Sequence, residues 1–92
     1  MTLTVWKFSI PAGSEFSVIM PVSAQVLCVD VQFGDPQMWC LCNPIEERAP
    51  RKFLLTGTGH LREDLEGARY IGTFQLQGDA LVFHLFEKGG VV

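Results

Sequence analysis

Apolar and polar residues alternate along most of this chain with a period of two. In residues 4–10, for example, Trp6, Phe8 and Ile10 fall on one side and Lys7 falls on the other. The side chains of a β-strand point alternately to its two faces, so this period predicts strands with one buried face. We predict seven of them, at residues 4–10, 15–20, 24–33, 37–42, 51–56, 69–76 and 80–87. The third strand carries the longest apolar stripe, which is formed by Leu27, Val29, Val31 and Phe33.

Glycine and proline separate these segments and supply the backbone angles that tight turns need. Four short clusters predict such turns: Pro11-Ala12-Gly13, Pro21-Val22-Ser23, Gly34-Asp35-Pro36 and Gln77-Gly78-Asp79. The connection at 43–50 is expected to be a solvated loop. The pattern as a whole predicts an all-β fold, a compact antiparallel sandwich or barrel of about seven short strands. At most one short helical turn is expected, near 61–66, and the whole of 1–92 is expected to be a single β domain.

Composition narrows the class of protein. The 92 residues are 48% hydrophobic, 18% charged and 11% aromatic, which excludes an intrinsically disordered chain. No apolar run approaches the roughly 18 residues that cross a bilayer, and the first residues lack the pattern of a signal peptide. We therefore expect a cytoplasmic protein with no membrane partner. A chain this small leaves much of its apolar surface uncovered, so the surplus of apolar residues favours a homo-oligomer.

The charge balance argues against binding to nucleic acid. Seven Lys and Arg residues stand against ten Asp and Glu residues, a formal net charge of −3. Binding to a phosphate backbone needs clustered positive charge. Here the basic residues are scattered along the sequence, apart from Arg48, Arg51 and Lys52. We expect no nucleic-acid partner.

Three cysteines raise the question of a metal site. Cys40 and Cys42 would lie on the same face of one strand, with one residue between them. A structural zinc site prefers two to four residues between its cysteines, so this spacing suits zinc poorly. Cys28 would pair with Cys42 across a three-residue hairpin loop, whereas a two-residue loop would put it on the opposite face. The sequence favours small buried thiols over a metal centre, and we predict no metal and no cofactor.

The segment Thr56-Gly57-Thr58-Gly59-His60 is the most distinctive string in the sequence. Its two glycines allow a sharp turn and a close approach of the backbone to a ligand, and successive N–H groups can form an anion-binding concavity. The segment is neither a P-loop nor a dinucleotide fingerprint. It predicts either a pocket for a polar or phosphate-bearing ligand or an irregular loop in which the threonines cap the backbone.

Two further residues are candidates for contact with a ligand or partner. His84 lies in an apolar strand, where a structural role at a sheet edge or interface is the ordinary one. Trp39 shares a face with Asp30 and Gln32 if the hairpin loop has two residues, and there it would be an interface anchor. No nucleophile stands at a recognisable spacing from either histidine, so we expect no catalytic residues and no enzyme activity, and a small hydrolase is the less favoured alternative.

The order of motifs resembles that of a family of small, uncharacterised proteins encoded by bacteriophages and prophages. The resemblance rests on the Trp-Lys-Phe strand, Met20-Pro21 and the Gly57–His60 segment, and it extends to the strings 70–75 and 81–87. It covers about residues 3–87 and implies an origin, with no activity attached to it.

Small phage accessory proteins often bind host proteins or sequester host signalling nucleotides. We therefore expect a non-enzymatic phage protein that binds a host factor in the host cytoplasm. Binding of this factor is expected to counter the antiviral defence of the host. The alternative is a sponge that binds a small nucleotide-like ligand at the Gly57–His60 loop.

Overall fold

Seven antiparallel strands and one 3₁₀ turn make up the structure, a computed structural model that describes residues 1–78 and 80–89. The strands are β1 (Thr4–Ser9), β2 (Glu15–Pro21), β3 (Gln25–Gln32), β4 (Asp35–Cys42), β5 (Arg48–Gly57), β6 (Arg69–Leu76) and β7 (Leu81–Glu87). The 3₁₀ turn, Glu63–Leu65, lies between β5 and β6, inside the predicted 61–66 segment. The all-β prediction is confirmed.

The strands form two sheets. One has three strands in the order β1-β4-β3, and the other has four in the order β2-β5-β7-β6. Their inner faces enclose one core, because residues of both sheets belong to a single buried cluster. The three-stranded sheet contributes Met38 and Cys40 among others, and the four-stranded sheet contributes Met20, Phe53 and Leu85. Of the two architectures left open by the sequence, the structure is the sandwich.

A two-residue turn joins β3 to β4. Gln32 pairs with Asp35, which leaves Phe33 and Gly34 as the loop. Both residues have positive φ, 53° and 82°, as a type I′ hairpin turn requires. The turn was predicted one residue later, at Gly34-Asp35-Pro36, and Phe33 was wrongly assigned to the core stripe. Phe33 is 94% exposed.

A β-bulge in β3 also changes the predicted stripe. The register against β4 shifts between Val26 and Cys28, so Val26 and Val29 face the core while Leu27 is 47% exposed. A bulge adds one residue to a strand and reverses the facing of side chains on one side of it. The strict alternation predicted for residues 24–33 was therefore wrong before Cys28: Leu27 was assigned to the core face that Val26 occupies.

The fifth strand begins earlier than predicted. The loop expected at 43–50 ends before Arg48, where β5 begins. Pro50 lies inside this strand and pairs with Ile19 of β2. A proline cannot donate a ladder hydrogen bond. The pairs between β5 and β7 that the structure describes run from Phe53 to Gly57 and do not include Pro50, so none of them needs its missing N–H.

Candidate functional site

A cleft of about 490 Å³ opens at the end of the sandwich where β5 ends. Four segments that are distant in sequence meet there, and most of their contacting side chains are apolar. The lining residues come from the β1–β2 turn, the start of β4, the end of β5 with the turn after it, and the β6–β7 hairpin: Ile10, Pro11, Ala12, Gly13, Ser14, Asp35, Pro36, Leu55, Gly57, His60, Phe74, Leu76 and Phe83. Two of the predicted site residues, Gly57 and His60, therefore line a cavity.

The backbone after β5 turns back so that His60 lies against Gly57. His60 N–H donates to the carbonyl of Gly57 over 3.3 Å, and Gly59 provides the positive φ of 86° that closes the turn. A β-carbon added at Gly57 would lie 3.1 Å from His60 Cε1. The glycine therefore gives the imidazole room to lie over the end of the strand and to face the cleft.

The polar groups of the cleft are few. Phe74 and Phe83, whose ring centroids are 5.8 Å apart, form an aromatic wall, and His60, Asp35 and Ser14 carry the polar side chains. The described lining residues include no Lys or Arg. This arrangement suits a flat apolar or heteroaromatic group that makes a small number of hydrogen bonds, and it offers no cation to a phosphate.

Arg62 fixes the loop that follows His60. Its Nη1 donates to the carbonyls of Ser14 (3.0 Å) and Leu55 (2.8 Å), which ties the loop to the β1–β2 turn and to β5. Its Nε and Nη2 bind the Asp64 carboxylate at 3.0 and 2.8 Å. The Arg62 hydrogen bonds lower the pKa of Asp64 below its ordinary value. The loop that carries His60 is thus fixed by Arg62 to the rest of the sandwich.

His84 lies on the outer face of the four-stranded sheet in a chain of hydrogen bonds. Its Nε2 is 2.7 Å from Thr58 Oγ1, and its Nδ1 is 2.9 Å from Thr73 Oγ1. Thr73 Oγ1 lies 2.7 Å from the Tyr70 hydroxyl. A neutral imidazole donates from one nitrogen and accepts at the other, so His84 can link both hydroxyls. This chain joins the Thr58 loop to β7 and β6.

The structure separates the remaining predicted site residues from the cleft. Thr56 is buried, and its hydroxyl donates to the Gly57 carbonyl over 3.4 Å. Thr58 and His84 are hydrogen-bonded to each other, and neither they nor Gly59 line the cleft. Trp39 lies on the outer face of the other sheet, where it pairs with Lys7 and Cys28.

The cysteines divide between two faces, as the two-residue loop dictates. Cys40 and Cys42 are buried in the core, whereas Cys28 is exposed, so the expectation of three buried thiols was wrong for Cys28. Burial raises the pKa of the Cys40 thiol to about 11. Within residues 1–78 and 80–89, no three His, Cys, Asp or Glu side chains are placed to hold a metal ion together.

One family of known sequences matches almost the whole chain. A family described as "Domain of unknown function (DUF7352)" matches residues 1–91. The chain belongs to this family. No curated protein and no solved structure shows significant similarity to this DUF7352 domain. In the part of the domain that the structure describes, no helix has the length and apolar character needed to span a bilayer.

Sequence reasoning missed two features of this DUF7352 domain. It found no partner for His84, because Thr58 and Thr73 lie 26 and 11 residues away and meet it only through strand pairing. It also missed most of the cleft wall. The turn glycines and the apolar strand ends were visible, but no sequence pattern indicated that they converge at one end of the sandwich.

Proposed function

We propose that the protein binds a small molecule with a heteroaromatic ring in the Gly57–His60 cleft and acts without catalysis. The observation that carries the proposal is the composition of this cleft: its described lining residues form an aromatic and aliphatic wall with one imidazole and one carboxylate. Its volume of about 490 Å³ lies in the range typical of small-molecule sites.

The position of the polar groups supports a ring with hydrogen-bonding edges. Phe83 is partly buried and packs against Phe74, which is 4% exposed, so Phe83 is the aromatic side chain available to a ligand ring. Asp35 accepts hydrogen bonds, and His60 donates or accepts according to its tautomer. A nucleobase has both the flat apolar face and the N–H and carbonyl edge that this arrangement would bind.

The charge of the cleft supports binding of the base rather than the phosphate of a nucleotide-like ligand. Asp35 is the one carboxylate among the described lining residues, and no Lys or Arg accompanies it. A phosphate group would have to point to solvent. The resemblance to phage-encoded proteins supports a signalling nucleotide of the host cell as the ligand, held stoichiometrically.

Adenosine, guanosine and their 5′-monophosphates are suitable probes. Thermal unfolding is followed with each probe for the wild-type protein, His60→Ala and the matched control His84→Ala, whose imidazole lies outside the cleft. A ligand at 100 times its Kd stabilises the native state by about 2.7 kcal/mol. We expect wild type and His84→Ala to be stabilised, and His60→Ala to be stabilised less. The proposal is wrong if none of the probes stabilises the wild type, or if the two variants respond alike.

Trp39 supports a second candidate function, the binding of a protein partner. It lies on the outer face of the β1-β4-β3 sheet, and two apolar residues on these strands, Val5 and Leu27, are 49% and 47% exposed. Light scattering compares the mass in solution of wild type and Trp39→Ala, with Ile45→Ala, which is also exposed, as the control. A homo-oligomer that dissociates only in Trp39→Ala supports this candidate through a second copy. If all three proteins are monomers, the partner on this surface must be a host factor. Binding of that factor that is unchanged in Trp39→Ala would contradict the assignment of Trp39 to the binding surface.

A further inference from the structure

The outer face of the β1-β4-β3 sheet is apolar at its centre. Trp39 and Leu41 of the middle strand β4 are half-buried there. Val5 of β1, which pairs with Leu41, and Leu27 at the bulge of β3 are 49% and 47% exposed. The outer face of an antiparallel sheet normally carries polar side chains toward water. An apolar centre of this kind indicates a surface that a partner covers.

Exposed charges of opposite sign flank this apolar centre. Lys7 of β1 pairs with Trp39 on one side of β4, so the two side chains point to the same face. On the other side, Trp39 pairs with Cys28 of β3, and Asp30 lies two residues further along that strand, which puts it on the same face. The face therefore has a cation on one edge strand and a carboxylate on the other.

Within residues 1–78 and 80–89, neither Lys7 nor Asp30 has a partner of opposite charge. Lys7 Nζ donates to Oε1 of Gln32 over 2.7 Å, and Asp30 Oδ1 accepts from the N–H of Val31 at 2.7 Å. Both contacts are exposed to water, where a hydrogen bond contributes little net free energy. Each group can therefore take a partner of opposite charge on another molecule.

We propose that this face binds a second copy of the chain, face to face, about a two-fold axis parallel to β4; the proposal rests on the second candidate function, in which Trp39 is the binding surface. Such an axis lays β4 on β4 of the other copy and β1 on β3 of the other copy. Lys7 of each copy then faces the strand that carries Asp30 of the other, and Trp39 and Leu41 of both copies meet at the centre. A two-fold axis across the strands would instead lay β1 on β1 and β3 on β3, which opposes like charges.

The size of the face predicts a weak dimer. β1 has six residues, and β3 and β4 have eight each. Three strands of this length cover about 26 Å by about 14 Å. An interface of this extent lies at the low end for specific protein complexes, so we expect a dissociation constant in the micromolar range.

An exchange of charge between two variants tests this arrangement. Sedimentation equilibrium up to millimolar concentration gives the dimer dissociation constant of wild type, Lys7→Glu, Asp30→Lys and an equimolar mixture of the two variants. Each variant alone opposes like charges at both symmetry-related pairs, so its dimer should be at least about tenfold weaker than that of the wild type. A dimer of one Lys7→Glu chain with one Asp30→Lys chain opposes unlike charges at both pairs, so the mixture should form dimers that neither variant forms alone. Lys52→Glu is the matched control, because it reverses an exposed charge on a strand of the other sheet and should leave the dimer unchanged.

Three results would overturn the two-fold arrangement. The first is a wild type that stays monomeric at the highest concentration; binding of a host factor by the Trp39 surface then has its own test. The second is a mixture that dimerises no better than Lys7→Glu or Asp30→Lys alone. The third is an equal weakening of the dimer by Lys52→Glu, which would reflect net charge alone. A dimer that Trp39→Ala dissociates, but whose mixed variants show no recovery, would keep the Trp39 surface and exclude this axis.

Discussion

Gly72 of β6 and Val29 of β3 meet where the two sheets approach each other: a β-carbon built on Gly72 would lie 2.6 Å from Val29 Cγ1. Carbon atoms in favourable contact are about 3.5–4.0 Å apart. The two strands belong to different sheets and are not hydrogen-bonded neighbours. Gly72 therefore acts by having no side chain, which lets β6 pack directly onto the Val29 side chain.

Gly72→Ala should destabilise the protein by about 1–3 kcal/mol, the usual cost of overpacking a core. Val29 is buried and β-branched, so it cannot rotate away freely. Urea denaturation gives the free energy of unfolding of Gly72→Ala, Val29→Ala and the double variant. Because the added methyl group would occupy space that Val29→Ala vacates, the double variant should be more stable than the sum of the single losses by at least about 0.5 kcal/mol. Additive losses would show that the two residues do not compete for the same space.

The period of two along the chain was enough to predict the strands, because alternate side chains of a strand face the core and must be apolar. It could not show the bulge at Leu27 or the contact between Gly72 and Val29. A bulge changes the register by one residue without changing the local composition, and a contact between two sheets depends on how they pack. Pro50 also misled the prediction, because its place in β5 depends on pairing with β2, a strand that is distant in sequence.

Phe33→Asn should stabilise the β3–β4 hairpin. Phe33 has a φ of 53° and is 94% exposed, so it bears left-handed strain and contributes little packing. Asn tolerates this conformation, and Asn-Gly is a favoured type I′ pair. We expect a gain of about 0.5–1 kcal/mol, seen as a thermal unfolding midpoint raised by a few degrees. Phe33→Val is the control: a β-branched residue should lower the midpoint, and a rise with Val would exclude relief of backbone strain as the cause.

The candidate site was only partly accessible to sequence reasoning. Gly57 and His60 were found because a turn rich in glycine beside a histidine is visible locally. Asp35 and Phe83 reach the same cleft from other segments, and this convergence follows from the strand order. The cluster around Glu87 was missed for the same reason, since its two arginines come from different strands and meet it only when β5, β6 and β7 pair.

Glu87 should make stability depend on pH in the acid range. Burial alone would raise the pKa of Glu87, but the hydrogen bonds and charges of Arg51 and Arg69 outweigh it and hold the pKa below the ordinary value of 4.5. A carboxyl group with a lowered folded-state pKa stabilises the protein above its unfolded-state pKa. This contribution is lost as the pH falls from about 4.5 through the folded-state value.

Glu87→Gln tests this dependence through urea unfolding between pH 7 and pH 3. We expect a loss of about 1–3 kcal/mol at pH 7, because the half-buried Arg51 loses its partner. The difference from wild type should shrink as the pH falls below about 4.5. Glu47→Gln, which neutralises an exposed carboxylate, should run parallel to the wild type. A difference between Glu87→Gln and wild type that stays constant with pH would contradict the role of this ionised group.

Cys28 should react with thiol reagents far faster than the other two cysteines. It is exposed on the outer face of β3, whereas Cys40 and Cys42 are buried in the core. The thiolate is the reactive form, and burial raises the pKa of Cys40 to about 11, so little thiolate is present there at pH 8. A disulfide reagent that releases a coloured thiol should therefore titrate one cysteine per native chain quickly and all three after unfolding. Cys28→Ser should remove the fast phase and Cys42→Ala should keep it. A fast phase that survives in Cys28→Ser would mean that the core opens on the time scale of the reaction, so that Cys40 or Cys42 becomes accessible without global unfolding.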